Sequence, residues 1–542
     1  MMNVLISFSV FGRLAAFGVT LPLLMASGLE AWQSAAGPPL RQARGVVFHD
    51  VNGDGRLDAG DRRLPGIRVS NGRDVVLTGE GGQYSLSVGE DSIVFVIKPR
   101  GWRTRLDRNN LPQFYYIHKP AGSPRLQFPG VSPTGPLPDS IDFPLYLQEE
   151  PETFQAILFG DTQSRDETEI GYMNRTTIAE LVGSDAAFGV TLGDIVFDDL
   201  SQFDYHNRSV ALIGIPWYNV LGNHDLNFDV QVREHANETF ESLYGPSWYS
   251  FDYGRIHFIV LDNINWHIPD GETKPGYSGM FGEDQLEFVR NDLNHIPDDQ
   301  FVVLFMHIPL FNCSDAESLY RLIEQRPLTF SVSAHQHVHH HHFLGKDQGW
   351  QGAEPHHHLV NVTVCGNWWS GRKNADGIPH STMSDGAPLG YSVLGFDGNR
   401  YTLDFRATGM PADYQMRIDL PDQVTRQELA DTPVHVNVFN GSPRSTLEMR
   451  CGRPGEWVPL KRVEEIDPWY QRVYDNEQAA NPPIQPGLSG PKASSHLWRG
   501  RLPDLETGVH LIEFRTTDMH DRVWTDQRLL RVTANDGPAA GD

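Results

Sequence analysis

Side chains that bind metal ions follow five apolar segments in the middle of the chain. Each segment has the length and composition of a buried β-strand, as in residues 156–159 and 301–305. The polar residues that follow these segments are Asp161 and Gln163, Asp194, Asn223 with His224, His307, and His335 with His337. Carboxylate, amide oxygen and imidazole together suit borderline divalent ions such as Mn, Fe or Zn, and one carboxylate can bridge two metals about 3.5–4 Å apart. The residue types therefore predict a centre of two metal ions.

The segments that carry these residues belong to a block, residues 151–409, in which strand patterns alternate with helical patterns. Helical spacing appears at Ile178, Leu181 and Val182, between the strands that precede Asp161 and Asp194. Layered α/β domains present their ligand-binding residues at the carboxyl ends of strands. The block is therefore predicted to be an α/β domain with the metal site at one edge of its sheet.

The order of these motifs resembles the calcineurin-like metallophosphoesterases, whose pattern runs Asp-x-His, Gly-Asp, Gly-Asn-His-Asp/Glu, His and Gly-His-x-His. The corresponding segments here are Asp161-Thr162-Gln163, Gly193-Asp194, Gly222-Asn223-His224-Asp225, His307 and Ala334-His335-Gln336-His337. The chain departs from the pattern twice, since Gln163 stands where the family has its first His and Ala334 where it has Gly. The resemblance covers nearly all of the block and implies a central four-layer α/β/β/α sandwich.

The resemblance also implies a role for each residue. One metal would take Asp161, Gln163 and His337, the other would take Asn223, His307 and His335, and Asp194 would bridge them. The ions are expected to be divalent or trivalent transition metals (Mn, Fe or Zn) that lower the pKa of a bridging water, so that hydroxide attacks phosphorus. His224 is the expected catalytic acid for the leaving oxygen, and Asp225 is expected to fix the orientation of His224.

A Trp- and Gly-rich loop follows the last ligand. With the Gln163 variant, it resembles the bacterial multidomain branch of the family, in which a β-module precedes the phosphoesterase domain and an immunoglobulin-like module follows it. Trp368 and Trp369 are candidates to stack on an organic leaving group, and ordinary loop packing is the alternative. Two histidine tracts, 339–342 and 356–358, are predicted to be solvated loop residues, with recruitment of transition metals at the mouth of the site or contact with substrate as the alternatives.

The blocks on either side of the central one have the patterns of small β-sandwiches. Residues 41–150 contain short alternating strands and a loop with the oxygen-ligand spacing of a calcium site. The loop ligands are Asp50, Asn52, Asp54, Asp58 and Asp61. They predict one structural Ca²⁺, with a metal-free acidic hairpin loop as the alternative. Residues 410–535 are predicted to form an immunoglobulin-like sandwich, and residues 536–542 a flexible tail.

The amino terminus and the composition indicate where the protein acts. Residues 1–36 contain Arg13, an apolar run and then small residues, the order of a secretory signal peptide, so export to the periplasm or the extracellular space is expected. No later segment has the apolar length of a membrane span. The net charge of −25 over 542 residues disfavours nucleic-acid partners. One disulfide, for example between Cys313 and Cys365, and unpaired core cysteines are both compatible with three cysteines.

Together these features predict an exported phosphoesterase that acts on a small phosphoester or phosphorylated substrate. Phosphomonoesters are preferred, because a dianionic phosphoryl group suits two metals without flanking contacts. A phosphodiesterase on nucleotides or lipid head groups is the first alternative. The second is a surface binding protein with an inert phosphoesterase domain, and the retained Asn223, His224, His335 and His337 argue against it. The sequence leaves the oligomeric state open.

Overall fold

The computed structural model describes residues 40–268, 275–452 and 455–534. The predicted signal peptide, residues 1–36, and the predicted tail, residues 536–542, lie outside these ranges. In the part of the chain that the structure describes, no helix is both long enough and apolar enough to cross a membrane.

Short strands build the part of the chain before residue 151. They are β1 (Arg41–His49), β2 (Arg62–Arg63), β3 (Arg68–Ser70), β4 (Val75–Leu77), β5 (Gln83–Val88), β6 (Ser92–Val96), β7 (Trp102–Arg103), β8 (Arg105–Leu106), β9 (Pro112–Gln113), β10 (Tyr115–His118) and β11 (Phe143–Leu147). One sheet has the order β2-β1-β11-β7, with β5 also paired to β1, and a second has the order β10-β6-β3-β4. Alternating burial along β5 follows the two-residue period of a strand with one face in the core.

Two larger sheets form the middle of the chain. Their strands and those of a hairpin are β12 (Thr153–Phe159), β13 (Phe188–Thr191), β14 (Trp217–Asn219), β15 (Tyr249–Tyr253), β16 (Ile256–Val260), β17 (Ile264–His267), β18 (Gly276–Gly279), β19 (Phe301–Phe305), β20 (Thr329–Ser333), β21 (His340–Leu344), β22 (His356–Val360), β23 (Gly390–Asp397) and β24 (Arg400–Ala407). The first sheet has the order β14-β13-β12-β23-β24 and the second β15-β16-β19-β20-β22-β21. Strands β12, β13 and β14 run parallel, as do β16, β19, β20 and β22.

The helices of the middle region are mostly short. They are α1 (Glu167–Met173), continued by a π-helical segment (Asn174–Ile178) into α2 (Ala179–Leu181), then α3 (Phe203–Val210), α4 (Glu238–Tyr244), α5 (Glu283–Leu293) and α6 (Ala316–Ile323). Single 3₁₀ turns occur at Leu200–Gln202, Ala211–Ile213, Arg233–His235, Leu310–Asn312 and Lys346–Gln348. Asp166 caps α1 by accepting the backbone N–H groups of Thr168 and Glu169.

The two central sheets share one apolar core. Leu158 of the first sheet lies in the same buried cluster as Phe258 and Phe305 of the second. On the other face of β12, Phe159 packs in a second cluster with Ile170 of α1 and Phe203 of α3. Successive residues of β12 therefore serve two cores, which explains why its sequence is continuously apolar from Ala156 to Phe159.

The last part of the chain forms two more sheets and one long helix. Its elements are β25 (Met416–Asp419), β26 (Gln423–Thr425), β27 (Pro433–Val438), β28 (Thr446–Cys451), β29 (Val458–Pro459), β30 (Lys461–Ile466), α7 (Pro468–Gln478), β31 (Ala493–Arg501), β32 (Gly508–Thr517) and β33 (Val523–Thr533). The sheets have the orders β25-β27-β31-β30 and β26-β33-β32-β28-β29. Their facing residues form a separate core around Trp498, Val436 and Phe514. The described residues from Leu40 onward nevertheless belong to one compact unit.

The prediction that the two histidine tracts are solvated loops is wrong. Most of these side chains lie in the adjacent strands β21 and β22, and His341 and His358 are 1% and 0% exposed. Neighbouring polar groups satisfy them: His358 hydrogen-bonds Ser331 and Ser333, and His341 hydrogen-bonds Asn440 of the C-terminal part. Burial lowers the pKa of His358 well below its ordinary value, so these imidazoles are neutral core residues.

A buried ion-pair network joins the N-terminal strands to the middle sheets. The Arg68 guanidinium on β3 contacts Asp252 and Asp292, each at 2.6 Å. His257 lies between the same two carboxylates, at 2.7 and 3.1 Å. Each charge therefore has an opposite partner, which is the condition under which buried charges are tolerated.

Candidate active site

The predicted metal ligands lie where strands of both central sheets end. Asp161 follows β12, Asp194 follows β13 and Asn223 follows β14 in the first sheet. His307 follows β19, and His335 with His337 follows β20, in the second sheet. Because these strands are parallel within each sheet, their carboxyl ends meet at one edge.

Three of these residues already place ligand atoms around a common point. One atom each from Asp194, His307 and His335 lies within 4.8 Å of the others, a spacing that fits a metal ion. Nε2 of His307 is 3.2 Å from Oδ2 of Asp194 and 3.1 Å from Nδ1 of His335. It is also 3.1 Å from Oδ1 of Asn223. The structure thus brings together the residues assigned to the second metal and the predicted bridge.

In its neutral form, which is the form that binds a metal, His307 directs a lone pair at other acceptor atoms. Its Nδ1–H donates to the carbonyl of Leu192 at 2.8 Å, so in the neutral ring Nε2 is an acceptor. That nitrogen faces the oxygens of Asp194 and Asn223, which are acceptors too. A cation among them satisfies all three, and a backbone carbonyl that fixes the tautomer is typical of a metal-binding histidine. Without a metal, burial lowers the pKa of His307, but the Asp194 charge outweighs burial and raises the pKa to about 9.

The other metal position shows the same arrangement. Nδ1–H of His337 donates to the carbonyl of Gly366 at 2.7 Å, and its Nε2 lies 2.9 Å from Oδ2 of Asp161. Asp161 is fully buried, and this Oδ2 atom has no well-directed hydrogen bond. A buried carboxylate oxygen in that state is costly unless a cation binds it. The residues therefore fit the metal that the sequence assigns to them.

Gln163 connects the two ligand sets. Its side-chain amide nitrogen donates to Oδ2 of Asp194 at 3.2 Å, and its backbone N–H donates to the Asp194 carbonyl. The Cys365 thiol lies 4.0 Å from Oε1 of Gln163.

Cys313, Cys365 and Cys451 are all free thiols, so the Cys313–Cys365 disulfide that the sequence allows is absent from the described residues.

The backbone is strained at four of the ligand positions. Gln163, Asp194, His335 and His337 have φ values of 36°, 50°, 70° and 52°, the left-handed region that side chains with a Cβ rarely adopt. Such conformations cost about 1–3 kcal/mol each and persist where the surrounding structure enforces them. Nearby glycines are required by close approach, because a Cβ on Gly222 would lie 1.9 Å from the Asp194 backbone nitrogen.

His224 lies beside the metal ligands with a different partner from the predicted one. Its backbone N–H donates to Asp194 at 2.9 Å, and its Nδ1 lies 2.7 Å from Oδ1 of Asp198. Its ring stacks on Phe197 with 4.4 Å between centroids. Burial lowers the pKa of His224, but the Asp194 charge and the Asp198 hydrogen bond outweigh it, so the pKa is raised above its ordinary value.

The prediction that Asp225 orients His224 is wrong. Asp225 is fully buried and accepts backbone N–H groups from Ile195, Val196 and Gly222. It therefore holds the loop after β13 against the loop after β14, because both loops would otherwise leave N–H donors unpaired. Asp198, which stands four residues beyond the Asp194 ligand, does the orienting.

The two tryptophans after the last ligand have different roles. Trp368 is half-buried, and its ring stacks on His337 with 3.9 Å between centroids. Trp369 is 1% exposed, and its indole N–H donates to the carbonyl of Thr162. Trp369 is thus a core residue that no substrate reaches, which corrects its prediction as a stacking residue, whereas Trp368 lies beside the centre.

Three further residues, which the sequence alone does not place, lie at this edge. Tyr277 is 39% exposed and lies edge-on to His335, with 6.0 Å between centroids. The Arg165 guanidinium donates to the Trp368 carbonyl at 2.8 Å and lies over the Phe197 ring at 5.5 Å. Arg165 and Phe197 stand two or three residues beyond ligands, so proximity along the chain was the only signal for them. Tyr277 lies on β18 of the β17–β18 hairpin, and no signal in the sequence indicates that it reaches this edge.

The predicted calcium loop lies between β1 and β2, and none of its hydrogen bonds described below involves a residue of the centre. Asp50 accepts the backbone N–H groups of Gly53 and Gly55, each at 2.7 Å, and the Tyr146 hydroxyl. The Asn52 amide donates to Asp58 at 2.9 Å. Asp61 accepts the backbone N–H groups at positions 51 and 58. The five predicted ligands thus share one turn, tied together by hydrogen bonds.

Comparison with known proteins matches most of the chain to one family. Residues 51–129 match the model for the N-terminal part of calcineurin-like phosphoesterases, residues 156–339 match the calcineurin-like phosphoesterase domain, and residues 358–524 match the C-terminal part. The matches follow one another as N-terminal, catalytic and C-terminal parts, and the catalytic match includes all seven residues predicted to hold the two transition metals.

Likenesses among individual proteins are weak. A purple acid phosphatase from yellow lupin (Lupinus luteus) seeds is 13% identical, with 63% of this chain and 67% of that chain covered and a TM-score of 0.34. A superoxide reductase (neelaredoxin) from Ignicoccus hospitalis is 18% identical over 22% of this chain and 81% of that chain, with a TM-score of 0.12. No curated protein matches significantly. The assignment therefore rests on the three ordered family matches: the chain belongs to the calcineurin-like phosphoesterase family and is a metal-dependent phosphoric ester hydrolase.

Proposed function

We propose that the protein is an exported phosphomonoesterase with a dinuclear metal centre. The observation that carries the proposal is the convergence of acceptor atoms from Asp194, His307 and His335 beside His224. Asp161, Gln163 and His337 would hold one metal, Asn223, His307 and His335 the other, and Asp194 both. Imidazole, amide and carboxylate donors fit Mn, Fe or Zn better than Mg or Ca.

The chain's own residues then divide the remaining work. Bound metals would lower the pKa of water and offset the negative charge that develops on the phosphoryl group. His224, in its protonated form, donates a proton to the leaving oxygen. Asp198 keeps Nδ1 of that ring engaged at 2.7 Å, so that Nε2 is the nitrogen left for the substrate. Phe197 supports the ring face, which restricts it to one orientation.

The preference for monoesters can be tested directly. Turnover of p-nitrophenyl phosphate and bis-p-nitrophenyl phosphate is compared for the metal-loaded wild type, and the monoester is expected to dominate. His224→Ala is expected to lose about 10²–10⁴-fold in turnover. His295→Ala, a change at an exposed histidine outside the site, serves as the matched control. Dominant diester turnover would favour a phosphodiesterase instead, and wild-type rates in His224→Ala would remove that residue from catalysis.

We also propose the finer architecture that the sequence predicts. The shared core of the two central sheets and the helices α1 and α3 on the outer face of β12 support a four-layer α/β/β/α sandwich over residues 151–409. The paired sheets before and after it support β-modules over 41–150 and 410–535. Removal of residues 1–36 on export would be seen as a mature N-terminus near residue 37 by mass spectrometry. An intact N-terminus on protein recovered from the periplasm or the medium would contradict it.

A structural Ca²⁺ in the Asp50–Asp61 loop is the last part of the proposal. The hydrogen bonds within the loop hold the five oxygen-bearing side chains on one turn, which supports calcium binding. Adding Ca²⁺ is expected to raise the melting temperature of the wild type and not that of Asp58→Ala. The phosphatase activity of Asp58→Ala is expected to be unchanged, because none of the loop's hydrogen bonds described above involves a residue of the centre. Equal calcium responses in both proteins would contradict the site.

A further inference from the structure

The C-terminal part of the chain touches the loop that holds a metal ligand. The Tyr470 hydroxyl on α7 accepts a hydrogen bond from the Asn367 side-chain nitrogen at 3.0 Å and donates to the Ser489 carbonyl at 2.8 Å. The backbone N–H of Ser489 donates to Oδ1 of Asn367 at 3.1 Å. Asn367 and Tyr470 are both 0% exposed. The Asn367 amide is thus held at both its oxygen and its nitrogen by residues of the C-terminal part.

The two neighbours of Asn367 hold His337 from two sides. The carbonyl of Gly366 accepts Nδ1–H of His337 at 2.7 Å, and the Trp368 ring stacks on the imidazole face. Both neighbours have left-handed φ values, 55° and 52°. A Cβ on Gly366 would lie 1.9 Å from the Ser381 carbonyl oxygen, so the turn has no room to move toward Ser381. Its position is therefore set by this packing, by the Thr363 hydroxyl, which donates to the Gly366 carbonyl at 2.9 Å, and by Asn367.

The C-terminal part also touches the second ligand loop. Nζ of Lys492 donates to the carbonyl of Gln336 at 2.9 Å, and Gln336 is the residue between the ligands His335 and His337. Glu477 on α7 accepts from the backbone N–H of Arg372 and pairs with His380, both on the segment that follows Trp369. Contacts from α7 and the segment after it therefore reach both loops that carry or support His337.

We propose that the C-terminal part of the chain helps to position the metal ligand His337. Tyr470 is the positioning residue, and it acts on His337 through Asn367. The Gly366 carbonyl fixes the tautomer that presents Nε2 of His337 to the metal, and Tyr470 fixes the turn that bears this carbonyl. Partners that orient metal-binding histidines in this way typically change metal affinity by 10–100-fold when they are removed. This inference rests on the metal assignment of the proposed function.

The test compares two Tyr→Phe variants of the full-length protein. Tyr470→Phe removes the hydroxyl that holds Asn367. Tyr244→Phe is the matched control, because it removes a buried hydroxyl bonded to Asn207 at 2.9 Å, outside the contacts described here for the centre. Metal-free protein is titrated with Mn²⁺ by calorimetry, and the melting temperature of each variant is recorded. Asn367→Ala repeats the test from the other end of the hydrogen bond if Tyr470→Phe does not fold.

We expect one of the two Mn²⁺ sites to weaken about 10-fold or more in Tyr470→Phe. The other site should keep its affinity, and the melting temperature should fall no more than in Tyr244→Phe. Two unchanged Mn²⁺ affinities, or equal losses in both variants, would overturn the positioning role while leaving the proposed function intact. A wild type that binds fewer than two Mn²⁺ would overturn the dinuclear function itself, and this inference with it.

Discussion

Nδ1 of His224 lies 2.7 Å from Oδ1 of Asp198, whereas the adjacent Asp225 accepts only backbone N–H groups among its recorded hydrogen bonds. The residue next to the proposed acid therefore builds the loop, and a residue 26 positions earlier orients the ring. The structure therefore gives Asp198 and Asp225 different roles, whereas the sequence motif alone assigns the orientation of His224 to Asp225.

Asp198→Asn is expected to move the pH dependence of turnover. The Asp198 hydrogen bond helps to raise the pKa of His224, so its loss lowers that pKa. If protonated His224 is required, the alkaline limb of the kcat/KM profile shifts to lower pH. Asp204→Asn, at an exposed carboxylate on α3, is the control. An unshifted profile would show that Asp198 does not set the pKa of His224.

Asp225→Ala is expected to destabilise the protein. Three buried backbone N–H groups lose their common acceptor, and each unsatisfied buried donor costs about 1–3 kcal/mol. The measurement is urea unfolding followed by tryptophan fluorescence, with an expected loss of at least about 3 kcal/mol. Asp198→Ala, whose carboxylate is half exposed, should lose far less. Comparable stability of the two variants would be evidence against the structural role of Asp225.

Asp194→Ala is expected to prevent binding of the metal pair. Oδ2 of Asp194 lies 3.2 Å from Nε2 of His307 and accepts from Gln163, so its carboxylate joins both ligand sets. Elemental analysis should give two metals per chain for the wild type and at most one for the variant. Retention of two metals would rule out the bridge.

The adjacent tryptophans should respond differently to truncation. Trp369→Ala removes a fully buried ring and is expected to cost about 3–5 kcal/mol of stability. Trp368→Ala removes a half-buried ring beside His337 and should mainly raise KM for an aryl phosphate, with kcat less affected. Steady-state kinetics and thermal unfolding of both variants distinguish these roles, and a Trp368→Ala variant with an unchanged KM would exclude stacking.

The buried network around His257 gives a pH signature of folding. The charges of Asp292 and Asp252 outweigh burial and raise the pKa of His257, so its stabilising contribution is complete below pH 6.5 and is lost as pH rises through the raised value. His257→Gln should therefore destabilise the protein at pH 6 by more than it does at pH 9. Urea unfolding at both pH values measures this, and a difference independent of pH would contradict it.

The convergence of the proposed metal ligands could be predicted because each follows a continuous apolar strand. Asp161 and His307, 146 positions apart in the sequence, belong to different sheets, and they meet because the two sheets pack against a shared core with their strand ends close together. The order of the motifs, through its resemblance to a known family, then assigned each of these residues to one of two metals. The periodicity of the strands alone does not give that assignment. The role of Asp198 could not be predicted, because no rule of spacing says which of two nearby carboxylates turns toward an imidazole.

The histidine tracts were misjudged for a physical reason. Consecutive histidines have a polar composition, yet His356 and His358 lie in a buried strand because hydroxyls on β20 hydrogen-bond them. Those hydroxyls belong to a strand 25 or more positions away, so the sequence shows no local sign of them. Likewise, the contact between Tyr470 and Asn367 spans 103 positions and joins two blocks that the sequence treats as separate modules.

The left-handed backbone at Gln163, Asp194, His335 and His337 places this centre in conflict with selection for heat tolerance. Replacing any of these residues by glycine would relieve the local backbone strain and stabilise the fold, but it would remove a proposed metal ligand. Selection for thermal stability alone would therefore favour substitutions at these four residues and would lower turnover. Stabilising substitutions that preserve activity must be sought elsewhere in the chain.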